Sequence, residues 1–309
     1  KIAKSWGHLG EWDEAKKFLE LGLERDAKNV DILIEKATFL LNQGSQERKE
    51  ELLEEANTFF SNLDRAFKPL PAEAYYRWGK TCFLLARISQ EPCDYTLAIE
   101  KFKQSESLGN LDKHLFFDHS LALADLASLV TRVELIHESL LYLLKAVELD
   151  PHFYDGWLHL GGMYKFLYEQ GEKDEYFERA ESAFVTTARL NPNTKFLWLT
   201  WGQMLLSEGK YKRNADLLNM ALEKFEKADA LFPRDRDIEC FLADNLMVLG
   251  LLEERYEMIK EAKSRIEEIL EVRPDDTTVL FLYATCLLHI GKYFGDEKMI
   301  RQSFGYYDK

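Results

Sequence analysis

The residues best placed for acid–base chemistry are His114, Asp118 and His119, which lie within six consecutive positions. A histidine beside a carboxylate can relay a proton, because the carboxylate orients the imidazole and stabilises its cation. On a helix, a spacing of four sets His114 beside Asp118, but a spacing of five turns His119 about 140° away from His114. The three side chains do not converge, and each reads as structural. His8, His137, His152, His159 and His289 have no carboxylate or cysteine at metal-ligand spacing. No glycine-rich phosphate loop, nucleophile elbow or paired-histidine zinc motif occurs. The sequence therefore predicts no catalytic residue, no metal site and no cofactor, and the chain reads as not an enzyme.

The elements that carry these residues follow a repeat. Ala37, Gly79, Ser120, Gly161, Gly202, Ala243 and Ala284 recur at a step of 41 residues, with one step of 42 between the first two. A second small series, Ala15, Ala56, Ala98, Ser139, Ala180, Ala221, Ala262 and Ser303, runs in phase and follows the first by 19. Four residues after each of these stands Leu19, Phe60, Phe102, Leu143, Phe184, Phe225, Ile266 or Tyr307, and twelve after come Ala27, Lys68, Asn110, Pro151, Pro192, Pro233 and Pro274. Apolar residues at helical spacing lie between, so each repeat predicts two amphipathic helices. Small residues belong where two helix backbones approach closely, the large side chain fills the gap beside them, and proline stops the second helix. A period in this range predicts a solenoid.

Trp157, Leu160, Gly161, Tyr164, Ala180, Phe184 and Pro192 stand in the order of the tetratricopeptide signature, and Trp198, Gly202, Ala221, Phe225, Ala228 and Pro233 repeat it. The chain resembles the tetratricopeptide-repeat family over nearly its whole length. It departs from the usual 34-residue repeat by seven more residues between the two small positions, about two helical turns, which nearly preserve the facing of the apolar stripe. Gly44, Gly209, Gly250 and Gly291, each seven after the first small residue, place the turn between the helices, so that the insertion extends mostly the second helix; in the fifth repeat Gly171 comes three later. The resemblance implies an all-α, right-handed superhelical solenoid of antiparallel helix pairs. It would be one continuous array over 1–309, with repeats near 1–29, 30–70, 71–111, 112–152, 153–193, 194–234, 235–275 and 276–309. Ala3 lies twelve before Ala15, inside a helix, and Lys309 precedes the end of the last pair, so the sequence reads as part of a longer protein.

Composition sets limits on partners. The net charge of −14 disfavours nucleic acid and anionic membrane. With 46% hydrophobic residues and 7 prolines, no linker or low-complexity tract stands out, and Glu47 to Glu55 reads as a solvated helix face. No run of about 18 uninterrupted apolar residues occurs, so no membrane helix is expected. Cys82, Cys93, Cys240 and Cys286 have no paired spacing, which favours reduced thiols and a cytoplasmic location. Trp78, Trp157, Trp198 and Trp201 fall at core positions of their repeats.

What remains is the groove that the resemblance implies along the first helices, facing residues six and three before and one and four after the first small residue. Tyr76, Phe117, Leu158 and Leu199 form an apolar stripe there, joined by Lys80, Leu121, Lys165 and Gln203, and these eight are the candidate partner-binding residues. Two readings of the stripe stay open: core between repeats, or a trough that accepts a partner's helix or extended segment. Family members that hold the acidic tails of heat-shock chaperones clamp two carboxylates with lysine, arginine and asparagine. The corresponding places here hold Tyr76, Lys80, Asp118, Leu158 and Gly162, or Ile34, Thr38, Arg77, Phe117 and Leu121, so that partner is disfavoured. The expected function is a non-enzymatic scaffold or chaperone-like adaptor binding a protein or peptide segment. The alternatives are a substrate-recruiting region of an enzyme whose catalytic domain lies elsewhere, and a self-assembling solenoid.

Overall fold

A computed structural model describes residues 12–171 and 174–307, and all regular structure among them is α-helical. Ala3, His8, Lys309 and the side chain of Tyr307 lie outside the described residues. After α1 (Trp12–Arg25) the helices run in pairs: α2 (Val30–Glu47) with α3 (Glu50–Phe67), α4 (Ala72–Ser89) with α5 (Pro92–Ser107), and α6 (Lys113–Val130) with α7 (Val133–Leu149). They continue with α8 (Tyr154–Glu169) and α9 (Glu175–Leu190), α10 (Lys195–Lys212) and α11 (Ala215–Leu231), α12 (Arg236–Leu252) and α13 (Tyr256–Val272), then α14 (Thr277–Phe294) and α15 (Glu297–Tyr307). The chain forms two compact units, 1–160 and 161–309, divided within α8.

Within each unit the small series sit where the repeat predicts. Every member of the second series is fully buried. A Cβ built on Gly79 would lie 2.6 Å from the Phe102 ring, one on Gly161 2.6 Å from Phe184, and one on Gly202 2.5 Å from Phe225. Those distances are inside van der Waals contact, so glycine at the crossing and the phenylalanine beside it are one packing device. In the fourth repeat serines replace it, and Ser139 donates to the Ser120 carbonyl at 2.8 Å. The four prolines end their helices as expected: Asp150, Asn191, Phe232 and Arg273, which precede them, all take extended φ of −134° to −149°. Trp157 and Trp198 then lock the next helix to that corner by donating to the carbonyls of Pro151 (3.0 Å) and Pro192 (2.7 Å).

The turn lies elsewhere than its glycines suggest. Each first helix runs past its glycine, α2 to Glu47 and α10 to Lys212, and first and second helices from α2 to α13 are alike, 16 to 18 residues long. The seven extra residues are therefore shared between both helices. These glycines mark a second close approach: a Cβ on Gly209 would lie 2.8 Å from Leu218, and one on Gly250 2.9 Å from the Arg255 carbonyl. The reversal comes four residues later, at a left-handed residue: Arg48, Gln90, Thr131, Arg213, Glu254 or Gly295, with φ of 49° to 66°. The next N–H closes the cap, Asn214 onto Gly209 at 2.9 Å and Arg255 onto Gly250 at 2.8 Å. In the fifth repeat Tyr168 stands in the glycine's place, and the left-handed residue shifts to Gly171 at φ 77°.

One helix departs from the expectation of no membrane-length segment. By length and composition alone α14 could cross a bilayer. Its apolarity has a local cause, since Val279, Leu280, Tyr283, Ala284, Leu287 and Ile290 are buried in the same phase as on the other first helices. Cys82, Cys240 and Cys286 are buried free thiols, and Cys93 is exposed.

Candidate partner-binding face

Helix phase decides which side chains of the first helices reach solvent. The predicted positions three before and four after the small residue are largely covered: Ile34, Leu158, Leu199 and Cys240 are buried, as are Leu41, Phe83, Leu206 and Met247. The solvent-facing ridge instead follows residues six and two before and one, five and eight after. It reads Glu73, Arg77, Lys80, Leu84 and Arg87 on α4, and Phe196, Gln203, Ser207 and Lys210 on α10. At 100° per residue the ridge is rotated by about 40° from the groove the resemblance implies. The reason is the seam with the neighbouring repeat, which claims the stripe as core.

The first unit shows this directly. Tyr76 is half-buried and donates to Asp118 of the next repeat at 2.9 Å. Burial, helped by the Asp118 charge, pushes its phenol well above the usual range. Lys80 Nζ meets the same carboxylate at 3.2 Å. Phe117 is half-buried with ring centroids 5.1 Å from both Phe153 and His159, and Leu121 packs on the core cluster. Arg77, a lone cation in the sequence, is held by Glu35 (3.0 Å), Thr38 (2.8 Å) and Glu73 (2.9 Å). Arg87 faces Asp125 at 3.6 Å. Arg77, Lys80 and Arg87 are thus answered by acids within the unit.

His114, Asp118 and His119 are not brought together as a catalytic group. His114 is exposed and edges onto Phe153, Asp118 serves Tyr76 and Lys80, and His119 is fully buried between Tyr142 and Phe102, with centroids at 3.8 and 5.7 Å. Trp78 and Trp201 are core as expected, each under a buried lysine: Lys101 at 4.2 Å and Lys224 at 4.4 Å from the ring. These equivalent cation–π contacts lie three residues after the second small position, a periodicity open to sequence reading.

In the second unit the ridge cation Lys210 is likewise paired, with Asp244 at 2.5 Å, but the ridge also carries exposed phenyl rings. Leu199 is core, Gln203 half-buried, and Lys165 is mostly covered and paired with Glu169 at 3.0 Å. Phe196 is 55% exposed and Phe166 41% exposed, while a Cβ on Gly162, one turn before Phe166, would meet nothing within 4 Å. At the Phe196 position the other repeats carry Asp31, Glu73, His114, Asp155, Asp237 and Thr278. Next to this surface a cavity of about 570 Å³ opens between α8 and α10, with Tyr168, Asp174, Met204, Glu208 and Tyr211 in its wall. Glu208 is 5% exposed and its Oε1 lies 2.6 Å from Lys212 Nζ. Burial, followed by a hydrogen bond to Glu208, raises the Tyr168 phenol.

No family model matches the chain, and no curated protein matches it. Among solved structures, the C-terminal part of a TPR repeat-containing protein from Cytophaga hutchinsonii aligns with a TM-score of 0.63 at 17% identity, over 88% of this chain and 93% of that one. YrrB, a TPR protein with an unusual peptide-binding site, aligns at 0.49 and 20% identity over 71% and 95%. A thermophilic TPR protein from Thermus thermophilus aligns at 0.47 and 22% identity over 70% and 99%. The Cytophaga likeness and the paired helices give this chain the tetratricopeptide fold.

Proposed function

With a tetratricopeptide fold as the premise, we propose that the chain is a non-enzymatic protein-binding scaffold. It holds a helical or extended segment of a partner against the ridge of α8 and α10 in the second unit. The observation that carries this reading is the pair of exposed phenylalanines, Phe166 and Phe196, with open space over Gly162. Elsewhere in the array those ridge positions are mostly polar, so the exposed apolar pair departs from the repeat's pattern. Solenoids use such extended faces for binding, and covering two half-exposed phenyl rings contributes about 2 kcal/mol. The first unit is a poorer candidate because its ridge cations are already paired with Glu35, Asp118 and Asp125.

The test is a selection of displayed 16-residue segments against the full chain, followed by a Phe166→Ser, Phe196→Ser double variant. A melting point within a degree or so of the parent, together with at least about tenfold weaker binding, is expected. Selected segments that bind the folded double variant undiminished would move the interface off this ridge.

A further inference from the structure

The outward face of α7, in the first unit, breaks the pattern of the other second helices. Two residues after the second small position those helices carry Lys17, Thr58, Glu100, Ser182, Glu223 and Ser264, whereas α7 carries Leu141, 61% exposed. Five after, they carry Glu20, Ser61, Lys103, Glu226 and Glu267, whereas α7 carries Leu144, 37% exposed. Val133, in the first turn, is exposed as well. The opposite face of α7 has its own buried set, Ile136, Leu140, Leu143, Ala146 and Val147.

These outward residues share one stripe. At 100° per residue, Val133, His137, Leu141, Leu144 and Glu148 fall within about 80° of one another. From His137 to Glu148 the steps are four, three and four, the spacing of a heptad seam that faces another helix. Glu138 and Lys145 flank the seam on one side, seven residues apart and opposite in charge.

We propose that α7 docks antiparallel on α7 of a second copy of this chain, with a two-fold axis passing between Leu141 and Leu144. A two-fold contact uses one patch twice, so that the patch must complement itself. Here it does. Leu141 meets Leu144 of the second copy, His137 meets Glu148, and Glu138 comes beside Lys145, each pair occurring twice. A parallel pairing would instead set Glu148 against Glu148 and His137 against His137. Within one chain Glu138 and Lys145 are held by Lys103 at 2.9 Å and Glu106 at 2.8 Å, exposed pairs of the kind that contribute little. Two terms limit the dimer: the charge of −14 on each copy opposes association, and one helix per chain falls at the low end of interface size, under about 1,200 Å². The dimer therefore exchanges with monomer at micromolar concentration. It is independent of the α8 and α10 ridge.

Sedimentation equilibrium of the full chain from about 1 to about 300 μM tests this. The average mass should rise with concentration toward twice the 36.1 kDa of one chain. Leu141→Glu with Leu144→Glu should weaken the dimer at least about a hundredfold and keep the parent melting point, because α11 carries Glu223 and Glu226 at the same places. If that variant melts early, Leu141→Thr with Leu144→Ser, the pair that α3 carries as Thr58 and Ser61, replaces it with the same expectation. Glu148→Gln reads the orientation: it should loosen an antiparallel dimer a few-fold, whereas it would tighten a parallel one by removing a repulsion. The Phe166→Ser, Phe196→Ser variant should dimerise as the parent does. A parent that stays monomeric throughout, a folded leucine variant that dimerises undiminished, a Glu148→Gln dimer as tight as the parent's or tighter, or loss of the dimer in the phenylalanine variant overturns the proposal.

Discussion

Replacing His119 with phenylalanine should flatten the acid limb of the protein's stability. His119 is fully buried, stacked on Tyr142 of α7 and near Phe102 of α5, and neither ring nitrogen has a hydrogen-bond partner. Burial, reinforced by the Lys103 and Lys145 charges, lowers its pKa from 6.5 to about 3. The folded protein therefore holds the ring neutral, while the unfolded chain protonates it near pH 6.5. With the folded value depressed, stability is fully present above the unfolded pKa and is lost as pH falls toward the folded one. Each unit of pH in that window costs about 1.4 kcal/mol, so about 2 kcal/mol disappears between pH 7 and pH 5. That figure is insensitive to the folded value as long as it stays below about 4. Urea unfolding of parent and His119→Phe at several pH values between 7 and 5 measures the difference, and subtraction removes the shared contributions of His159 and His289, which burial also lowers. Parallel pH dependences for the two proteins would refute the reasoning, since they would require a His119 that protonates in place.

Other substitutions test the packing. Gly202→Val should cost about 3 kcal/mol or more by thermal unfolding, because its Cβ would stand 2.5 Å from the fully buried Phe225 ring. Lys80→Glu should destabilise by about 1–2 kcal/mol rather than act as a neutral surface change, because it faces the 9%-exposed Asp118; adding Asp118→Asn should recover part of the loss in denaturant titration. Thr131→Gly should gain about 0.5–1 kcal/mol, because a β-branched residue at φ 54° is strained in a left-handed turn that glycine adopts freely; calorimetry showing a loss would place the turn elsewhere.

Much of the fold was legible because the sequence states its helix crossings repeatedly. Gly79, Gly161 and Gly202 each have a phenylalanine 23 residues on, and each such ring fills the space above its glycine. Proline ends were legible for the same reason, a local steric rule with no rival. The turn was not, because a glycine seven past the crossing serves equally well at a reversal or at a second close approach, and only the left-handed residue four later distinguishes them. The solvent-facing ridge lies at another phase than the one shorter repeats imply, because here the seam between repeats covers Leu158 and Leu199. Ion pairs such as Lys80 with Asp118, 38 residues apart, join residues whose nearness depends on how one repeat stacks on the next.

Repetition itself supplies the contrast by which a site can be found. A residue that keeps the array standing must recur, because every crossing poses the same packing problem; a residue that departs from its series, at no evident gain to packing, answers to something else. Ala56, Ala98, Ala180 and Ala221 belong to the first kind, all fully buried at one phase. Phe196 stands where other repeats place mainly acids, and Tyr168 where six of them place glycine or alanine. The first change has a cost, exposed apolar surface. Phe196 lies on the ridge of α10, and Tyr168 on α8 in the wall of the cavity of the same unit. Departures from a repeated pattern are where a binding site superimposed on a solenoid is to be sought.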